Sequence, residues 1–368
     1  MKTLGPPGST LVDVEDEGTW RLGYRRSLDG IRGLAIALVL VSHTLFDAVA
    51  KLGEEGVDLF FCLSGFLITS LLLEEHRSTG RIDFAAFFRR RLRRLLPALL
   101  VVLGATFAVH AYLIGWLPAA ALALAVVFYI GNWVVTTGLG GLGYLGHTWS
   151  LSVEEQFYLV WPLATLLLLS ARRWWRLSVV ALLVLSACIW RADHSKQPLV
   201  LEFGSLTRAA PLLIGCGLAF LLHGRRTRTV SGWWTVPVFA MYIAQAWLPV
   251  PTPAEHVPAG LIAATLVGTA VSGRTIPWLE WGPLVTVGRR SYGLYLWHYP
   301  LMVPLLMRIS HVPTTLRLTA AVLAVVAAWS LTCLSWTHIE TRFKSTSAGR
   351  NDTPSIPREA SIRGDSRR

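Results

Sequence analysis

Apolar residues in this chain come in long runs that recur along nearly its whole length. They lie at 28–48, 56–73, 95–115, 150–170, 177–190, 206–222, 233–248, 258–272, 288–307 and 315–338. A helix needs about 20 mostly apolar residues to cross ~30 Å of hydrocarbon. The pattern therefore predicts an all-α, polytopic integral membrane protein with about ten transmembrane helices. One further apolar stretch, 119–137, fits no simple count.

Charge decides that stretch. Short loops rich in Lys and Arg stay on the cytoplasmic side. The loop 74–94 carries seven arginines, and Arg172, Arg173 and Arg176 follow the fourth run. Arg225, Arg226 and Arg228 follow the sixth, and Arg274, Arg289 and Arg290 come after the eighth. All of these share one side only if 119–137 does not cross fully. That segment is expected to be re-entrant or interfacial, with the protein multi-pass in the cell membrane and both termini cytoplasmic. The expected organisation is a cytoplasmic arm at 1–23, a transmembrane domain at 24–344 and a basic, disordered tail at 345–368, which lacks apolar anchors.

Composition agrees. Of 368 residues, 53% are hydrophobic and only 15% charged, with mean hydropathy +0.49. A soluble surface is roughly a quarter to a third charged, so lipid is the expected solvent. The formal charge of +12 is read as topogenic arginine rather than as a nucleic-acid footprint. Cys62, Cys188, Cys216 and Cys333 lie in apolar stretches without C-x-x-C spacing, which predicts packing residues and no metal site. The glycine run 138–146 lacks G-K-[ST] and is no P-loop.

Polar residues inside lipid are costly and mark function. Arg32, His43 and Asp47 fall in the first run. His43 and Asp47 are four apart and share a helix face, so the carboxylate either orients the imidazole or sits at the outer interface. Asp58, in the next run, is placed near that interface. Ser64-Gly65 offers a nucleophile without the G-x-S-x-G elbow, or a close-packing pair. Arg91 and Arg94, three apart, face one way; they suit a phosphate or supply topogenic charge. Of the adjacent Glu154 and Glu155, one caps a helix N-terminus and the other is free to line a cavity. His298 reads as a hydrogen-bonded structural histidine.

At these residues the sequence resembles the acyltransferase family 3 membrane proteins, which O-acylate carbohydrates, cell-envelope polymers and natural products. The matching words are Leu28-Asp29-Gly30-Ile31-Arg32-Gly33-Leu34-Ala35 with His43, then 56–69, Arg91-x-x-Arg94-x-x-Pro97, 147–162 and 291–300. One departure is Arg342, in Glu340-Thr341-Arg342-Phe343, where the family often has proline. The family's frequent soluble hydrolase-like domain has no counterpart, so a stand-alone form is expected.

The resemblance implies an enzyme that moves an acyl group, by default acetyl, from acyl-CoA to a hydroxyl. No permanently bound cofactor is expected; acyl-CoA is a co-substrate. His43 is the implied catalytic residue, with Asp47 and Glu154 as further candidates. Arg32, Arg91, Arg94, Ser64 and Gly65 are candidates for holding the donor. The expected acceptor is a carbohydrate, a cell-envelope glycan or a macrolide-like compound. The rival class is an exporter, for which two related halves would be expected; none is visible.

Overall fold

A computed structural model of the protein describes residues 22–45, 49–225, 230–272 and 275–340. The described residues form α-helices joined by short turns, 3₁₀ segments and a terminal π turn. In chain order these are α1 (Arg26–Leu45), α2 (Lys51–Thr79), α3 (Phe84–Ile114), α4 (Trp116–Val127), α5 (Gly131–Thr136), α6 (Trp149–Leu168), α7 (Arg173–Asp193) and α8 (Pro198–Phe203). They continue as α9 (Ala209–Leu222), α10 (Thr235–Gln245), α11 (His256–Ser272), α12 (Gly282–Arg289), α13 (Ser291–Arg308) and α14 (Thr314–Ser335).

Among the described residues, six helical stretches are long and apolar enough to cross a membrane: α1, α2, α3, α7, α11 with the turn before it, and α14 with the turn after it. The other four expected spans are also helical, as α6, α9, α10 and α13, but are shorter or more polar. The exterior supports a lipid surround. Leu182, Leu183 and Ile189 on α7, and Leu323 and Val326 on α14, are exposed, and no soluble surface leaves such stripes bare. The stretch 119–137 breaks as the charge pattern requires. α4 has 12 residues, about 18 Å at 1.5 Å each, too short to cross. It ends at Val127, and two residues on, Tyr129, with a left-handed φ of 54°, keeps the helix from continuing.

Helix α2 is central, packing on α1, α9, α11 and α6. Its crossing with α9 is set by glycine. A side chain at Gly65 would overlap the Leu212 carbonyl, and one at Gly215 would overlap that of Cys62. Close backbone approach through small residues is the usual packing device in lipid. Gly65→Ala and Gly215→Ala are each expected to cost about 1–3 kcal/mol by overpacking. Gly104, with open space around its Cα, should tolerate alanine. Thermal unfolding in detergent checks both statements.

The turn from α2 to α3 places the arginines. Gly80, left-handed at φ 71°, ends α2 with its N–H on the His76 carbonyl. Asp83 then caps α3 by accepting from the Ala86 N–H at 2.8 Å. The basic stretch Arg89–Arg94 thus begins in the second turn of α3. It is held beside α2 by an Arg90–Glu75 ion pair of 3.3 Å.

Candidate active site

A cavity of about 310 Å³ opens among α1, α2, α3, α6 and α13. Its polar lining comprises Arg32, Ser64, Arg91, Arg94, Ser150, Glu154, Tyr158, Ser291, Tyr292 and Tyr295; Phe60, Phe61, Leu67 and Ile68 give it an apolar wall. Helix spacing explains the convergence. Residues i and i+4 share a face, which brings Ser150, Glu154 and Tyr158 of α6 together. Arg91 and Arg94 lie three apart on α3.

The two adjacent glutamates divide the work. Neither caps α6, because that helix begins at Trp149 and both lie in its second turn. Glu155 takes Arg91 in a two-pronged pair, with Nε–oxygen distances of 2.8 Å and an Nη2–Oε1 distance of 2.5 Å. The Arg91 guanidinium also lies 3.4 Å over the Tyr158 ring. Glu154 faces the cavity, where its Oε1 accepts from the Ser64 hydroxyl and, at 2.6 Å, from Tyr158. Ser64 therefore has its proton on a carboxylate, while Gly65 turns away from the cavity against α9. That turn removes Gly65 from the donor-holding set and gives it a packing role.

The cationic charge left over is on α3 and α1. Arg94 is exposed to the cavity, and among the described residues no carboxylate pairs with it. Arg32 is partly balanced by Asp29 at 3.0 Å, and Asp29 also accepts from the Tyr24 hydroxyl at 3.0 Å. The cavity mouth therefore suits an anion.

His43 lies further along the same helix. It is eleven positions on from Arg32, close to three full turns. The two side chains thus share one face of α1, about 16 Å apart along the axis. His43 Nδ1 is 2.8 Å from the Val39 carbonyl. A carbonyl only accepts, so Nδ1 carries the proton and Nε2 of the neutral ring presents a lone pair. The ring stands 5.2 Å from His298 and 5.5 Å from Tyr299, centre to centre. His298 in turn lies 5.3 Å from His147. It is fully buried, with Nδ1 on the Tyr295 carbonyl at 2.6 Å and Nε2 unpartnered. Three imidazoles from α1, α13 and the turn before α6 thus gather at one level.

Sequence reasoning did not foresee that gathering. It took His298 as structural and did not single out His147; the available signal was that both lie in stretches that carry the family resemblance, 147–162 and 291–300. Asp47 lies outside the described residues. Glu154 is in the cavity with Ser64, and is not among the groups touching His43. Asp58 is 1% exposed and accepts from His256 Nδ1 at 2.7 Å. The Arg208 guanidinium donates to His256 Nε2 at 2.7 Å and lies 3.5 Å from Glu54. Burial of Arg208 is affordable only because this chain of partners surrounds it.

The comparisons with known proteins bear on this geometry. Residues 25–336 match the acyltransferase-3 family, described as an acyltransferase domain. That stretch contains all of the cavity lining but Leu22, and all three histidines. The chain belongs to the acyltransferase-3 family. It is 32% identical over 359 residues to the peptidoglycan O-acetyltransferase OatA of Listeria monocytogenes, covering 86% of this chain and 55% of that protein. It is likewise 32% identical over 316 residues to the O-acetyltransferase OatA of Staphylococcus aureus, covering 76% and 51%. The chain thus spans about half the length of these curated relatives. No solved structure matches it.

Proposed function

We propose that the chain is a membrane O-acetyltransferase that moves an acetyl group from acetyl-CoA to a hydroxyl of a cell-envelope glycan, with His43 as general base. The observation that carries this reading is the layout of α1. Arg32 faces the cationic cavity, and His43, with its Nε2 lone pair free, lies on the same helix face. Arg94 and Arg32 hold the phosphates of the donor, and its arm runs along the cavity towards His43. Nε2 takes the acceptor hydroxyl proton as the oxygen attacks the thioester carbonyl. The C–S bond breaks, and the CoA thiolate leaves with the proton returned from His43. Supplied this way, the base works at physiological pH, where an imidazole is largely neutral.

The family and the names of its relatives support a glycan acceptor and an acetyl donor. The arginine-rich ends of the helices are the cytoplasmic side in this reading, which places the donor inside and the acceptor outside. Membranes containing the protein, supplied with labelled acetyl-CoA and either peptidoglycan fragments or a macrolide, test it. Alkali-labile label on the glycan is expected. Export of an unmodified compound, without ester formation on either acceptor, would favour the exporter instead.

Arg94→Ala removes a charge-assisted contact to a phosphate. Such contacts are worth about 10- to 100-fold in affinity. The KM for acetyl-CoA should rise by that factor, with kcat nearly unchanged.

A further inference from the structure

On three helices the cavity ends, at the end away from the arginine-rich loops, on a single residue each: Val57 of α2, Ser150 of α6 and Tyr295 of α13. Two of these are bonded to one another. The Ser150 and Tyr295 hydroxyls are 2.7 Å apart, and the Tyr295 hydroxyl is 2.7 Å from the His147 carbonyl. A carbonyl cannot donate, so Tyr295 gives its proton to His147 and receives that of Ser150. Both hydrogen-bonding capacities of the ring's tip are thus fixed across the start of α6. The ring is 7% exposed.

Its other side meets the imidazoles. The Tyr295 ring is 5.1 Å from His147 and 5.4 Å from His298. One turn along α13, His298 stands against His43. Tyr295 therefore touches the cavity on one side and the histidine cluster on the other.

We propose that Tyr295, latched by Ser150, is the wall between the donor cavity and the histidines, and that it sets acyl length and water access for the reaction. This rests on the reading of the cavity as the acyl-CoA site. A thioester extended towards His43 must pass beside this ring. A short acyl group clears it, whereas each added methylene must displace a bonded, buried side chain. The same ring keeps water, with a base at hand beyond it, from reaching the thioester before an acceptor does.

The test compares the parent with Tyr295→Phe, Ser150→Ala and Tyr295→Ala in lipid nanodiscs, using acetyl-, butyryl- and hexanoyl-CoA. Tyr295→Phe and Ser150→Ala keep the ring but release the latch. Each should raise acceptor-independent hydrolysis of acetyl-CoA, relative to transfer, by about three- to tenfold. Tyr295→Ala removes the wall and should shift preference from acetyl towards butyryl by at least about tenfold. A parent that transfers acetyl, alongside variants with the parent's hydrolysis ratio and chain preference, overturns the wall alone. A parent that binds no acyl-CoA overturns the donor reading and the wall with it.

Discussion

His43→Ala should lower acetyl transfer by about 10²–10⁴-fold, the range for removal of a positioned base, while leaving folding and acetyl-CoA binding intact. The separation follows from the geometry. The residue sits about 16 Å along α1 from Arg32, beyond Tyr295 and outside the cavity lining. Its hydrogen bond is to its own helix, at Val39, so no other helix loses a hydrogen-bond partner, only the ring contacts of His298 and Tyr299. His43→Gln can bond locally but cannot take the proton, and should be as inactive as alanine. Single-turnover transfer alongside calorimetric titration of acetyl-CoA distinguishes the two effects. Lost binding with normal transfer per bound complex would remove His43 from the role of base.

Arg91→Ala is expected to act on stability, at ~1–3 kcal/mol, because truncating one partner of a part-buried pair leaves the other charge unpaired. Glu155 would be left unpaired beside Glu154, and the Tyr158 ring would lose the cation over its face. Replacing both partners, as Arg91→Met with Glu155→Leu, should recover most of the loss, since an apolar pair of similar size leaves nothing unsatisfied. Unfolding in detergent measures both variants. Equal effects of Arg91→Ala and Arg94→Ala on donor KM, with unchanged stability, would contradict the division of labour between these arginines.

That division marks the boundary of what the sequence made legible. Run length and arginine placement sufficed for an all-helical membrane protein and for the interrupted segment at 119–137, because both follow from the cost of crossing lipid. Arg32, Ser64, Arg91, Arg94 and Glu154 were readable as costly polar residues near one another, and they do line one cavity. Their pairing was not readable. Spacing makes Arg91 and Arg94 equivalent, and only the depth at which α6 begins decides that Glu155 neutralises the first and spares the second. Gly65 likewise reads as a site glycine from its neighbours, yet its open face belongs to α9. The partners of Asp58 were not readable either: the proximity of His256 and Arg208, about 150 to 200 residues later, is a fact of tertiary packing. His147 and His298 each read as ordinary alone, and acquire meaning only beside His43.

The most direct test is a cryo-EM map of the protein in nanodiscs with a non-hydrolysable thioether analogue of acetyl-CoA. The account predicts phosphate density within hydrogen-bonding distance of Arg94 and Arg32, with the sulfur end pointing past Ser64 to Tyr295 and His43. Phosphates bound at the opposite face, or a sulfur end turned away from the three imidazoles, would contradict it.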